Sequence, residues 1–142
     1  MTIHAILCPI DFSAPAEDAL RYAVSLAARL RAEPVHVLHV HQAALLSGHE
    51  ASAAQRAAKD HAARRLEDIA KRYSVHDVEV VPHFVEGVPY EAILSEATRL
   101  DADLIVMSTH GRSGLAHALI GSVAERVVRQ ASIPVCTVRK SS

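Results

Sequence analysis

The stretch Leu104–Val123, LIVMSTHGRSGLAHALIGSV, decides the fold. It opens with the apolar run Leu104–Met107, which has the length and composition of a buried strand. A polar loop that contains two glycines follows this run, and a helix is predicted from about Ser122 to Gln130. A buried strand that passes through a loop into a helix is the repeating unit of α/β proteins.

The same unit recurs along the whole chain. We predict strands at 3–8, 35–40, 78–85, 104–107 and 134–139, helices at 16–30, 51–73, 90–100 and 122–130, and a loop at 41–50. Strands that are separated by helices pair in parallel through right-handed crossovers. The chain therefore predicts a doubly wound α/β fold with helices on both faces of one sheet. Pro82 cannot donate to a ladder, so the third strand is predicted at an edge or bulged.

Length and composition limit the class of protein. The 142 residues fit one domain, 1–142, and its core must come from Ala, Val, Leu and Ile because only 4% of the residues are aromatic. The formal net charge of −1 favours neither nucleic acid nor an anionic membrane as a partner. No apolar run approaches the roughly 20 residues that span a bilayer. Cys8 and Cys136 are expected to be free buried thiols, which favours a cytoplasmic location.

Two connections that follow strands are small and polar. The segment Cys8–Ser13, which includes Pro9 and Asp11, follows the first strand, and Ser108–Gly114 follows the fourth. Ligands of open α/β sheets bind beyond the carboxyl ends of the strands, where the winding reverses. Gly111 and Gly114 would let a ligand approach the main chain closely. These two connections are therefore the predicted walls of a binding site.

A second phosphate-binding element is predicted at the start of the last helix. Ser122–Glu125 matches the Ser-x-x-Glu pattern of a capping box. A helix N-terminus offers unpaired N–H groups and a partial positive charge, and Arg112 could add a cation. The alternative is that the glycines only form turns. Neither G-x-x-x-x-G-K-[ST] nor G-x-G-x-x-G occurs, which argues against a P-loop NTPase and a nicotinamide dinucleotide enzyme.

Several other polar residues are candidates for catalytic or metal-binding groups. The ten histidines include no His-x3-His on a predicted helix, and no cysteine lies near a histidine at a zinc spacing. His110 could contact phosphate or act in catalysis, although a role in the turn is favoured. Asp11 could act as a general base, a metal ligand, a helix cap or a ribose contact, and no second carboxylate accompanies it in its loop. We predict no catalytic group and no metal held by the protein alone.

A pattern of glycines carries a resemblance to a known family. The segment Ser108–Ser122, with glycines at 111 and 121, is similar to the pattern G-x2-G-x9-G-[ST] of the universal stress protein family. Val123–Val135, Pro9–Ser13 and Leu38–Val40 also resemble that family, and the likeness covers essentially the whole chain. One position departs from the pattern, because Ser108 stands where the family has its first glycine.

The resemblance implies a five-stranded parallel sheet in the order 3-2-1-4-5. It also implies a Rossmann-like site for ATP, or for ADP or AMP, across the ends of strands one and four. Asp11 would lie near the ribose and any Mg bound to the phosphates, and Val40 would meet the adenine through its backbone. The resemblance further implies a homodimer through the last strand, 134–139. The predicted site residues are Pro9, Ile10, Asp11, Val40, Met107, Ser108, His110, Gly111, Arg112, Gly114, Gly121, Ser122 and Val123.

Three functions stay open at this point. The leading prediction is a regulatory stress-response module that binds an adenine nucleotide. The alternatives are slow ATP hydrolysis, with Asp11 and His110 on a metal-bound triphosphate, and a nucleotide-free dimeric interaction protein. The third function depends on Ser108, whose hydroxyl could bond a phosphate or ribose oxygen or could narrow the approach to the site.

Overall fold

The computed structural model describes residues 2–42, 49–110 and 120–139. The elements in these ranges are β1 (Ile6–Pro9), α1 (Ala14–Leu30), β2 (Val35–His41), α2 (His49–Tyr73), β3 (Val80–Glu86), α3 (Pro89–Arg99), β4 (Leu104–Ser108), α4 (Ser122–Gln130) and β5 (Val135–Val138). The five strands pair in parallel in the order β3-β2-β1-β4-β5. The predicted doubly wound α/β fold, with its order 3-2-1-4-5, is therefore confirmed.

The amino ends of β1 and β4 are joined by one carboxylate. The N–H groups of His4 and Ala5 donate to the same oxygen of Asp103 at 2.8 and 3.1 Å. These two hydrogen bonds lower the pKa of the Asp103 carboxyl. They also explain why β1 begins at Ile6 rather than at residue 3, because the N–H groups of the two preceding residues bond to a side chain instead of to a neighbouring strand.

The position of β3 agrees with the proline in its sequence. β3 lies at one edge of the sheet, where Pro82 is opposite Val37 of β2 and no strand of the described ranges lies on its other side. The prediction of an edge strand is confirmed. β3 begins at Val80 rather than at Val78, since Val75 and Val78 pair in an antiparallel bridge that turns the chain.

Two helices begin about two residues earlier than predicted. α1 begins at Ala14 because the hydroxyl of Ser13 accepts a hydrogen bond from the Ala16 N–H at 3.3 Å and caps the helix. α2 begins at His49 rather than at residue 51. Residues 43–48 of the predicted loop lie outside the described residues.

Alternate side chains of the strands contribute to two separate cores. The face that packs on α1 and α2 presents Ile6, Cys8, Val35, Val37, Leu104 and Val106. The face that packs on α3 and α4 presents Leu7, Leu38, Ile105 and Met107. Apolar residues thus lie on both faces of the central strands, as parallel sheets covered by helices require.

The two cysteines differ in burial. Cys8 lies on the central strand β1 and is fully buried, and loss of hydration raises the pKa of its thiol far above the usual range. Cys136, on β5, is only half-buried, so the expectation of two buried thiols holds for Cys8 alone. Both cysteines are free thiols.

The longest helix, α2, has 25 residues and carries charged side chains along much of its length. One of them, Lys59, forms an ion pair with Glu86 at the end of β3. No helix within the described ranges combines the length and the apolar character needed to cross a membrane.

Two histidines face each other on the side of β2 and β3 that packs on α3. His36 Nδ1 lies 2.8 Å from His83 Nε2, so one nitrogen must donate and the other must accept. The guanidinium of Arg99 lies 3.5 Å from His83 and is paired with Glu96. Desolvation is the main cause of a lowered pKa in both imidazoles, and the charge of Arg99 adds to it, while Glu96 opposes it at His83.

We expect the protein to lose stability as the pH falls below about 6.5, the ordinary pKa of histidine. In that range the unfolded chain binds protons that the folded His36–His83 pair excludes, so protonation favours unfolding. Urea denaturation between pH about 7.5 and about 5 measures the free energy of unfolding. The decrease should be smaller in a His36→Gln/His83→Gln variant. In His76→Gln, which replaces an exposed histidine in the turn before β3, the decrease in the free energy of unfolding should equal that of the parent. A parent-like decrease in the double variant would contradict this assignment.

Candidate functional site

A cleft of about 550 Å³ lies beyond the carboxyl ends of the central strands. The sheet order places β2 on one side of β1 and β4 on the other, so the crossover connections leave β1 and β4 in opposite directions and open a gap between them. Within the described part of the chain the cleft is lined by Pro9, Ile10, Asp11, Ala16, Leu38, His39, Val40, His41, Gln42, Pro89, Ile93, Met107, Ser108, Gly121, Ser122 and Val123.

The structure brings most of the predicted site residues to this cleft. Those that line it are Pro9, Ile10, Asp11, Val40, Met107, Ser108, Gly121, Ser122 and Val123. His110 does not line it, and its Nδ1 lies 3.1 Å from the hydroxyl of Thr109. Gly111, Arg112 and Gly114 lie outside the described residues.

Sequence reasoning predicted Val40 but missed the other residues that β2 and its end contribute to the cleft, and missed those of α3. His39, His41 and Gln42 line it at the end of β2, and Pro89 and Ile93 line it from the first turns of α3. The polar residues at the end of β2 could have been predicted as part of the site. Ligands of open α/β sheets bind beyond the carboxyl ends of the strands, and β2 is next to the gap. The α3 residues gave no such signal, since apolar residues in a first turn look like ordinary core.

Asp11 forms one wall of the cleft in the turn between β1 and α1. One of its carboxylate oxygens accepts hydrogen bonds from the Ser13 N–H at 3.0 Å and from the Ser13 hydroxyl at 2.5 Å. The same hydroxyl caps α1. The alternative in which Asp11 itself caps the helix is therefore wrong, and the cap instead orients the carboxylate.

Ser108 is the last residue of β4 and forms a hydrogen bond with the loop that follows it. Its hydroxyl donates to the carbonyl oxygen of His110 at 2.8 Å. The hydroxyl thus bonds within its own loop, an arrangement that the sequence alternatives for this side chain did not include. This bond fixes the direction of the chain from Ser108 to His110. A glycine at position 108 has no side chain and could not form it.

The start of α4 forms the opposite wall. Gly121 is the N-cap, and its N–H donates to the Thr109 carbonyl at 2.5 Å. The predicted capping box at Ser122–Glu125 is wrong, because the cap residue has no side chain and Glu125 pairs with Arg129. The first N–H groups of a helix have no acceptor within the helix, so this end of α4 still presents donors and a partial positive charge at the cleft.

The described lining carries few ionisable side chains. It contains one carboxylate, Asp11, and two imidazoles, His39 and His41, and the described lining includes no Lys or Arg. The positive end of α4 lies across the cleft from the carboxylate. An anionic group is therefore favoured at the α4 end, and a hydroxyl or a cation at the Asp11 end.

Comparison with known proteins agrees with this architecture. The model of the universal stress protein family matches residues 2–139. The chain belongs to this family. Universal stress protein MJ0531 of Methanocaldococcus jannaschii is 33% identical over 139 residues, which covers 95% of this chain and 81% of the relative.

Solved structures of universal stress proteins share the fold. The MJ0577 protein of M. jannaschii superimposes with a TM-score of 0.86 at 29% sequence identity, which covers 100% of this chain and 99% of that one. A universal stress protein solved with cAMP has a TM-score of 0.69 at 23% identity, over 99% and 100% of the two chains. The universal stress protein from Archaeoglobus fulgidus solved with dAMP has a TM-score of 0.63 at 24% identity, which covers 96% of this chain and 98% of that one. At these last two identities the likeness concerns the fold alone.

We expect Gly121→Ala to destabilise this universal stress protein by about 1–3 kcal/mol. An added Cβ would lie 3.0 Å from the Thr109 carbonyl oxygen, so the loop after β4 would have to move away from α4. Urea denaturation measures the change. Ser122→Ala, one residue later in the same helix start, is the control and should stay within about 0.5 kcal/mol of the parent. Equal stability of Gly121→Ala and the parent would refute the close contact.

Proposed function

We propose that this universal stress protein binds ATP, or ADP or AMP, in the cleft and acts as a cytoplasmic regulatory module of the stress response. The observation that carries the proposal is the convergence of three different elements on one cleft. These are the oriented carboxylate of Asp11, the open end of β2 at Val40, and the N-terminus of α4 at Ser122. Each suits a different part of a nucleotide.

The phosphates would lie at the start of α4. Helix N-termini bind phosphate through backbone N–H groups, and Gly121–Val123 presents such a terminus to the cleft. The adenine would lie beside Val40, where Leu38 and Ile93 supply apolar surface. The volume of the cleft lies within the range of about 300–1,000 Å³ that is usual for small-molecule sites.

Asp11 would contact the ribose and any Mg that accompanies the phosphates. A carboxylate is an acceptor for ribose hydroxyls and a ligand that Mg²⁺ prefers. The two hydrogen bonds from Ser13 hold one carboxylate oxygen in place, so the group is positioned before a nucleotide arrives. Bound Mg²⁺ would neutralise phosphate charge, and its contact with the protein would come through this side chain.

A titration of the purified protein with ATP, ADP and AMP in the presence of Mg²⁺ tests nucleotide binding. We expect heat of binding with at least one nucleotide, and an affinity at least about tenfold lower for Asp11→Asn because a charged acceptor is lost. Asp77→Asn removes the same charge from the exposed turn before β3 and should bind as the parent does.

Chromatography of denatured, freshly purified protein provides a second measurement. A nucleotide that was carried through purification would be released and identified there. The absence of heat and of a thermal shift with all three nucleotides, together with no released nucleotide, would overturn the proposal and favour a nucleotide-free interaction protein.

We also propose that two copies pair through the last strand, 134–139. β5 lies at an edge of the sheet, and its residues are half-exposed. Its backbone bonds to β4 through the carbonyls of Pro134 and Val138, which accept from Ile105 and Thr109. Because successive residues of a strand point their backbone groups to opposite sides, the N–H of Thr137 points outward, toward a second copy.

Sedimentation velocity should show a dimer for the parent and a monomer for Thr137→Pro. The proline removes the outward N–H but leaves the backbone groups that bond to β4. Thr137→Val keeps the N–H and is the control, which should remain dimeric. A monomeric parent, or a dimeric proline variant, would disprove pairing through this edge.

A further inference from the structure

The turn that carries Asp11 is held from the side of β2. Strand pairing between β1 and β2 runs to Pro9 and Leu38, and the Ile10 N–H still donates to the Leu38 carbonyl at 2.8 Å. The carbonyl of Ile10 lies 3.0 Å from Nδ1 of His39. Since a carbonyl only accepts, Nδ1 must carry a proton and donate. Both backbone groups of the residue before Asp11 are thus bonded to β2.

The residue after Asp11 is held in an unusual conformation. Phe12 has a φ of 66°, which is uncommon for a residue with a bulky side chain. Phe12 as a whole is only 9% exposed, so burial of the residue accompanies the unfavourable backbone angle. Backbone strain of this kind persists only where the surroundings determine it, and it is frequent at functional sites.

His39 supplies part of those surroundings. The centroids of the Phe12 and His39 rings are 4.4 Å apart, and the Arg65 guanidinium from α2 lies 4.6 Å from the centroid of Phe12. The imidazole also lies 5.8 Å from the ring of Phe84 on β3. One side chain therefore donates to the residue before Asp11 and packs on the residue after it.

We infer that His39 is a positioning residue for the nucleotide, because it holds the turn of Ile10–Phe12 so that the Asp11 carboxylate faces the cleft. This inference rests on the proposed nucleotide binding. His39 lines the cleft itself, yet its hydrogen bond to Ile10 and its nearest ring contact, with Phe12, are both to the turn. Its effect on affinity should therefore pass through Asp11, which distinguishes a positioning role from a direct contact or a merely structural one.

Two substitutions separate the functions of the imidazole. His39→Phe keeps a ring against Phe12 but removes the donor to the Ile10 carbonyl. His39→Asn keeps a donor near the place of Nδ1 but removes the ring. If the hydrogen bond aims the carboxylate, His39→Phe should lower the affinity for Mg-ATP about tenfold, and His39→Asn should recover most of that loss.

A double-mutant cycle with Asp11 is the decisive measurement. In an Asp11→Asn background, His39→Phe should change the affinity by less than about twofold, since the group that it positions is already lost. His36→Asn, on the same strand but on its other face, is the matched control and should bind as the parent does at pH about 8. A full tenfold loss in both backgrounds would show that His39 does not act through Asp11 and would overturn the inference.

The tautomer of His39 in the parent protein gives a test that does not depend on a variant folding. The ¹⁵N shifts of the imidazole should show that the neutral ring carries its proton on Nδ1. A ring protonated on Nε2 alone would exclude the bond to Ile10. If the parent binds nucleotide and His39→Phe binds equally well, only this inference fails. If the parent binds no nucleotide, the proposed function fails, and the positioning role fails with it.

Discussion

The parallel direction of all five strands is the constraint on which the rest of the structure depends. Every strand ends at the same edge of the sheet, so every connection that follows a strand begins there. Segments that are far apart in sequence, such as Asp11 and Gly121, therefore face each other across one cleft. Because β2 and β4 lie on opposite sides of β1, the connections diverge and leave room for a ligand.

The same constraint orients the helices. Each helix in the described ranges follows a strand, so α1, α3 and α4 begin at the edge where the cleft lies. Their partial positive charges point toward that edge. The backbone N–H groups at these helix starts can thus favour an anion at the cleft. Such donors require no reorganisation when the ligand binds.

Most of the fold follows from local patterns in the sequence. Apolar runs and helical spacing identify the elements, and Pro82 indicates the edge strand, because these signals depend only on neighbouring residues. The boundaries at Ile6 and Val80 do not follow from such signals, since they depend on the Asp103 carboxylate just before β4 and on a bridge between two valines.

The site is predictable to a lesser degree. Glycines and small polar residues after strands indicate where it lies, and most of the expected residues do line the cleft. The roles of individual side chains depend on three-dimensional contacts that spacing does not encode. The hydroxyl of Ser108 bonds to the carbonyl of His110 in its own loop, a partner that the glycine pattern does not indicate. His39 lies on β2, and its hydrogen-bond partner, the carbonyl of Ile10, is 29 residues away in sequence, in the turn after β1.

The burial of Cys8 has a consequence for how opening of the sheet can be followed. Its thiol lies on the central strand, is fully buried and stays protonated, so alkylating reagents and oxidants cannot reach a reactive thiolate in the closed protein. Reaction at Cys8 then requires β1 to separate from the helices that cover it. The rate of alkylation at the Cys8 sulfur, compared with the rate at the half-buried Cys136, therefore reports how often the core around β1 opens.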